Sequence, residues 1–79
     1  MIENRGSPRV RVLKGGSIIF GASIVDCVVR NLSETGACLE VASPVGIPAD
    51  FTLQIKPEPT KHNCHVVWRS ASRIGVYFK

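Results

Sequence analysis

Apolar and polar residues alternate with a period of two along most of the chain, and no sustained period of 3.6 replaces that pattern. Side chains two apart share a face only in a strand, so the alternation predicts an all-β fold with no long helix. Clusters of Gly, Pro, Asn and Ser cut the pattern into short runs. Six strands are read: Ser17–Phe20, Ile24–Arg30, Ala37–Val41, Asp50–Ile55, Asn63–Ser70 and Ile74–Phe78. An extended Val10–Leu13 precedes them and bends at Gly15-Gly16. Val25, Cys27 and Val29 share one face of the second strand, with Ile24, Asp26, Val28 and Arg30 on the other. Ala37, Leu39 and Val41 point inward, as do Cys64, Val66 and Trp68 of the fifth strand and Ile74, Val76 and Phe78 of the sixth. The segment Asn31-Leu32-Ser33-Glu34-Thr35-Gly36 is a tight reversal in which Gly36 supplies positive φ. Pro57 and Pro59 end the fourth strand, and the last two strands form a hairpin across Ser70–Arg73. Segments this short cannot cover two open sheets, so the expected architecture is a six-stranded antiparallel β-barrel, which also removes exposed edges.

A chain of 79 residues has room for one small core and excludes a two-domain enzyme. The 44% hydrophobic content is that of a folded domain rather than a disordered one. Its formal charge of +4 is unevenly placed. Arg5, Arg9, Arg11 and Lys14 outweigh Glu3 near the start, and Lys61, Arg69, Arg73 and Lys79 meet no acid near the end. Between them, Asp26, Glu34, Glu40, Asp50 and Glu58 outnumber Arg30 and Lys56. An anionic partner fits basic ends. Cys27, Cys38 and Cys64 have no Cys-x-x-Cys pair and read as reduced, buried thiols. Neither a signal peptide nor an apolar run long enough for a membrane span is visible, so a cytoplasmic protein without membrane insertion is expected.

Two motifs carry chemistry. Arg5-Gly6-Ser7-Pro8-Arg9 sets two guanidinium groups four residues apart, and Asn31-Leu32-Ser33-Glu34-Thr35-Gly36 reads Asn-x-Ser-x-x-Gly. Either alone is common, but together, in this order and in an all-β context, they resemble the PilZ domain family, whose signature is Arg-x-x-x-Arg followed by Asp/Asn-x-Ser-x-x-Gly. Val66-Val67-Trp68-Arg69 and Ile74-Gly75-Val76-Tyr77-Phe78 are similar to the closing hairpin of such domains. The resemblance implies a PilZ-like split barrel over 10–79 that binds cyclic di-GMP, a bacterial second messenger; the polar, Gly-containing residues 1–9 read as a flexible ligand-binding arm, and the C-terminal helix that many such domains carry is not expected after the last strand. The resemblance assigns the ligand to Arg5, Arg9, Asn31, Ser33 and Gly36, with Arg11 and Arg69 as possible secondary contacts. Guanidinium groups can grip phosphate, bond guanine O6 and N7, or stack on a purine. No cofactor other than this ligand is implied.

The expected mechanism is that of a receptor. The polar arm orders over the ligand, and the composite surface is read by a separate downstream protein, the receptor itself being a monomer or weak homodimer. Catalysis is not expected, because there is no phosphate loop before a helix, no carboxylate pair and no nucleophile context. Metal binding at His62-Asn63-Cys64-His65 is disfavoured because alternation sends Cys64 and His65 to opposite faces. Two alternatives stay open. One is a PilZ-like protein-interaction module without nucleotide binding. The other is a small basic barrel binding single-stranded nucleic acid, against which counts the inward reading of Trp68 and Phe78, because it leaves few stacking platforms.

Overall fold

The apolar halves of the alternating runs meet in one interior. Ile18, Val29, Leu39, Leu53, Ile55, Cys64 and Ile74 are fully buried there, and Val12, Phe20, Val25, Leu32, Val66 and Phe78 pack around them. The computed structural model describes residues 10–79. Six antiparallel strands form the barrel: β1 (Val10–Phe20), β2 (Ser23–Leu32), β3 (Gly36–Glu40), β4 (Asp50–Ile55), β5 (Lys61–Arg69) and β6 (Arg73–Phe78). They close in the order β1-β2-β3-β6-β5-β4, and none of the described residues is helical. Closure pairs the strand edges with one another, as expected for short strands with a single core.

The strand boundaries depart from the sequence reading in instructive places. Gly15-Gly16 is not a bend, because β1 runs straight through it. Gly16 pairs with Cys27 on one side and Ile55 on the other. A β-carbon on Gly16 would stand 3.1 Å from the Cys27 sulfur and 3.3 Å from the Gln54 carbonyl oxygen, so the glycine serves close approach. The reversal between β2 and β3 is also shorter than expected. Asn31 and Leu32 still belong to β2, and Gly36 is already the first residue of β3.

Gly36 does not take positive φ; among the described glycines only Gly21 and Gly46 do. Its requirement is space, since a β-carbon there would run into the Val76 carbonyl oxygen of β6.

The largest correction concerns Trp68. It was expected inside with Cys64 and Val66, yet it is 46% exposed. The β5–β6 ladder pairs Val66 with Val76 and then Trp68 with Gly75, so one extra residue is inserted in β5. Such a bulge reverses the alternation. Trp68 therefore shares the outer face of Gly75, and its indole lies where a Gly75 side chain would be.

All three cysteines are buried free thiols. Burial, with the Asp26 charge adding to it, pushes the Cys27 thiol up to about 11. Burial, with Cys27 nearby, pushes Cys64 up to about 12.

Candidate functional site

Directly opposed residues of an antiparallel ladder put their side chains on the same face. Arg11 of β1 is opposite Asn31 of β2, Asn31 opposite Cys38 of β3, Cys38 opposite Gly75 of β6, and Gly75 opposite Trp68 of β5. These five residues form one transverse row across five strands. Ala37, Leu39, Ile74 and Val76 on either side of it belong to the core, so the row faces outward. Register shifts adjoin it at Arg11/Lys14, Val29/Asn31 and Val66/Trp68. Strict alternation from Val29 would send Asn31 inward with the core. The bulge at Arg30 turns it out.

The turn beyond Asn31 is built around one hydroxyl. Ser33 Oγ accepts from the amides of Thr35 and Gly36, each at 3.2 Å, and donates to the Gly36 carbonyl at 3.3 Å. The Ser33 amide donates to the same carbonyl at 2.9 Å. A short side-chain oxygen that bonds the backbone two and three residues on is what favours Ser in such turns. Ser33 therefore shapes the loop, and Gly36 lets that loop sit against β6.

Beside the row lies an open groove of about 580 Å³ lined by Arg11, Val12, Leu13, Arg30, Asn31 and Arg73. This size is within the usual range for small-molecule sites. Arg30 carries an ion pair to Glu40 at 3.2 Å, and Arg73 stands directly opposite Glu40 in the β3–β6 ladder. Three guanidinium groups thus converge with one amide side chain, a set suited to phosphate oxygens and to the edges of planar bases.

The structure brings Arg11 and Asn31 together and sets Ser33 and Gly36 immediately beyond them. Arg69 is turned elsewhere, its Nη1 donating to the Pro44 carbonyl at 3.2 Å. Arg5 and Arg9 lie outside the described residues. Sequence reasoning missed Arg30 and Arg73 as residues of the groove and Trp68 as part of the outer row. The three consecutive apolar residues Val66-Val67-Trp68 break the alternation and are the local sign of a bulge. The meeting of Arg30 with Arg73 depends on the β2-β3-β6 pairing, which no local pattern displays.

A second charged cluster sits on the outer face of β4 and β5. Asp50 Oδ1 lies 2.8 Å from His65 Nδ1 and accepts from Lys79 Nζ at 2.9 Å. The hydrogen bond from His65, then that from Lys79, holds the Asp50 carboxyl below the usual carboxylate range. His65 also tilts against Tyr77, with ring centroids 5.5 Å apart. His62 stacks on Phe78 and Cys64 is in the interior, so His62, Cys64 and His65 do not converge. Among the described residues no group of three or more His, Cys, Asp or Glu side chains is placed to hold a metal ion.

The described residues form a closed six-stranded barrel that bears a basic outer groove and a Ser-braced turn. The sequence profile of the PilZ domain matches residues 3–79, and the chain belongs to that family. PilZ domains are generally cyclic di-GMP-binding modules and not enzymes. A search of curated proteins returned no match.

Proposed function

We propose that this protein is a cyclic di-GMP receptor that orders residues 1–9 on ligand binding and passes the signal to a separate protein in the cytoplasm. The observation that carries the reading is the placement of Arg11 opposite Asn31, one residue pair from the Ser33–Gly36 turn. Arg9 is bonded to Val10, whose ladder partner is Leu32, so the chain bearing the first motif starts beside the second. In this reading Arg5 and Arg9 take phosphate and guanine contacts, and Asn31 meets a base edge. Ser33 and Gly36 present the turn's backbone, and Arg11 supplements the field. Arg69, held on the Pro44 carbonyl, has the weakest geometric support.

The exposed indole of Trp68 and ring of Tyr77 weaken the aromatic argument against single-stranded nucleic acid, since both can stack a base. The same experiment separates the readings. Calorimetric titration of the full chain with cyclic di-GMP is expected to saturate at a defined stoichiometry. Arg9→Ala and Asn31→Ala should each weaken binding at least about tenfold, the loss typical of a hydrogen bond to a charged group. Absence of heat for the native chain at high micromolar concentration removes the receptor reading and promotes the interaction module. Binding that instead grows with oligonucleotide length and collapses with salt favours the polymer reading. Amide exchange of residues 3–9 should slow with ligand; equal exchange with and without it would rule out the ordering arm.

A further inference from the structure

Glu40 is a carboxylate set among cations that line the groove. Its Oε1 is 3.2 Å from Arg30 Nη1, with both side chains a little over a third exposed. Arg73, across the β3–β6 ladder from Glu40, lines the same groove as Arg30. Arg30 is the inserted residue of the β2 bulge, between the pairs Val29–Leu39 and Asn31–Cys38, and has no β3 residue of its own opposite. It also lines an adjoining groove with Asp26 and Glu40. A long side chain on a bulge, facing two grooves and tied by one partly exposed ion pair, can exchange partners at little cost.

We propose that Glu40 is an internal competitor for the site: it occupies Arg30 in the free protein, and a ligand phosphate displaces it. Arg30, with Arg73 and Arg11, then forms a phosphate subsite distinct from the two sequence motifs. The inference rests on the phosphate-binding part of the proposed cyclic di-GMP reading, and it adds a residue that sets affinity by opposing it. Neutralising Glu40 releases Arg30 before the ligand arrives, so binding tightens. The gain is bounded by the strength of a partly exposed pair, about threefold to fivefold.

Two probes, cyclic di-GMP and inorganic pyrophosphate, test this on the full chain by calorimetry, with thermal melts checking that each variant folds. Glu40→Gln is expected to tighten both probes about threefold to fivefold. In an Arg30→Gln background the same change should alter affinity by less than about 1.5-fold, because the cation it frees is gone. Asp26→Asn, which removes a carboxylate from the adjoining groove, should give a smaller gain than Glu40→Gln. An undiminished gain in the Arg30→Gln background, or an equal gain from Asp26→Asn, would show only a general field and overturn the proposal. Cyclic di-GMP binding that ignores Glu40→Gln also overturns it while leaving the receptor reading intact. If only pyrophosphate binds, and with the predicted dependence on Glu40 and Arg30, the competitor stands and the receptor reading falls. Binding of neither probe overturns both.

Discussion

Strand β4 and the row from Arg11 to Trp68 obey different rules. In β4 burial alternates at every residue, and both of its ladders, to β1 and to β5, run without a register shift. The row crosses four ladders, and in three of them a shift adjoins it. Regular pairing is what the interior needs, because each alternate side chain of β4 fills the core. The bulges do the opposite: they take Asn31 and Trp68 off the inward face that parity would give them. The β5 bulge lays the Trp68 indole over Gly75 on the outer face instead.

That contrast can be broken first at its regular side. Leu53→Ala deletes a fully buried side chain of β4 and is expected to cost about 2–5 kcal/mol in a urea titration, enough to unfold much of so small a domain. A loss below about 1 kcal/mol would mean that β4 does not carry the core. Gly36→Ala comes next, at about 1–3 kcal/mol, because the new methyl meets the β6 backbone rather than a movable side chain. Gly21→Ala is a useful companion: it has open space but a φ of 56°, so its cost reports backbone conformation alone.

On the irregular side the expected effect moves from stability to binding. Trp68→Ala should change the unfolding free energy by no more than about 1 kcal/mol, yet weaken cyclic di-GMP about tenfold if the indole stacks on a base. A large stability loss with unchanged affinity would make the bulge structural and erase the distinction between the two regions.

The two interior thiols give a subtler test through pH. Below about pH 9 both are protonated in the folded and unfolded chains, and their contribution is complete. Above it the unfolded chain ionises first while Cys27 and Cys64 hold their protons to about 11 and 12, so stability falls across that window. Urea midpoints measured on either side of pH 9 should therefore diverge, and diverge less in a Cys27→Ala/Cys64→Ala variant. The smallest effect is expected at Asp50, an exposed group. Its depressed carboxyl contributes stability above the ordinary carboxylate range, lost as pH falls through its lowered value. Asp50→Asn should flatten that acid limb and leave the neutral-pH melt almost unchanged.

How much of this was legible in the sequence follows the same division. β4 was read to the residue, Asp50 to Ile55, because it is regular and Pro57 ends it. The closed barrel was legible because six short alternating runs leave few other ways to bury one face. The inward reading of Trp68 failed because parity arguments assume an uninterrupted ladder, and one inserted residue inverts them. Gly15-Gly16 was misread because two glycines signal a turn locally, whereas Gly16 is needed for approach to Cys27 and Gln54 on the two neighbouring strands, which are distant in sequence. The turn motif was found by its spacing, and Ser33 performs the backbone bonding that spacing permits. Arg30, Glu40 and Arg73 escaped notice because their meeting is a property of which strands neighbour which.

The outward turn of Trp68 also gives the protein an optical property. It is the single tryptophan of the chain, and the residue is already 46% exposed in the folded state. Its emission reports on the Gly75 surface rather than on the interior, so denaturation should shift its wavelength little. A guanine stacked there should quench it strongly. Fluorescence of the unlabelled chain is thus a poor gauge of folding and a direct meter of occupancy at the row.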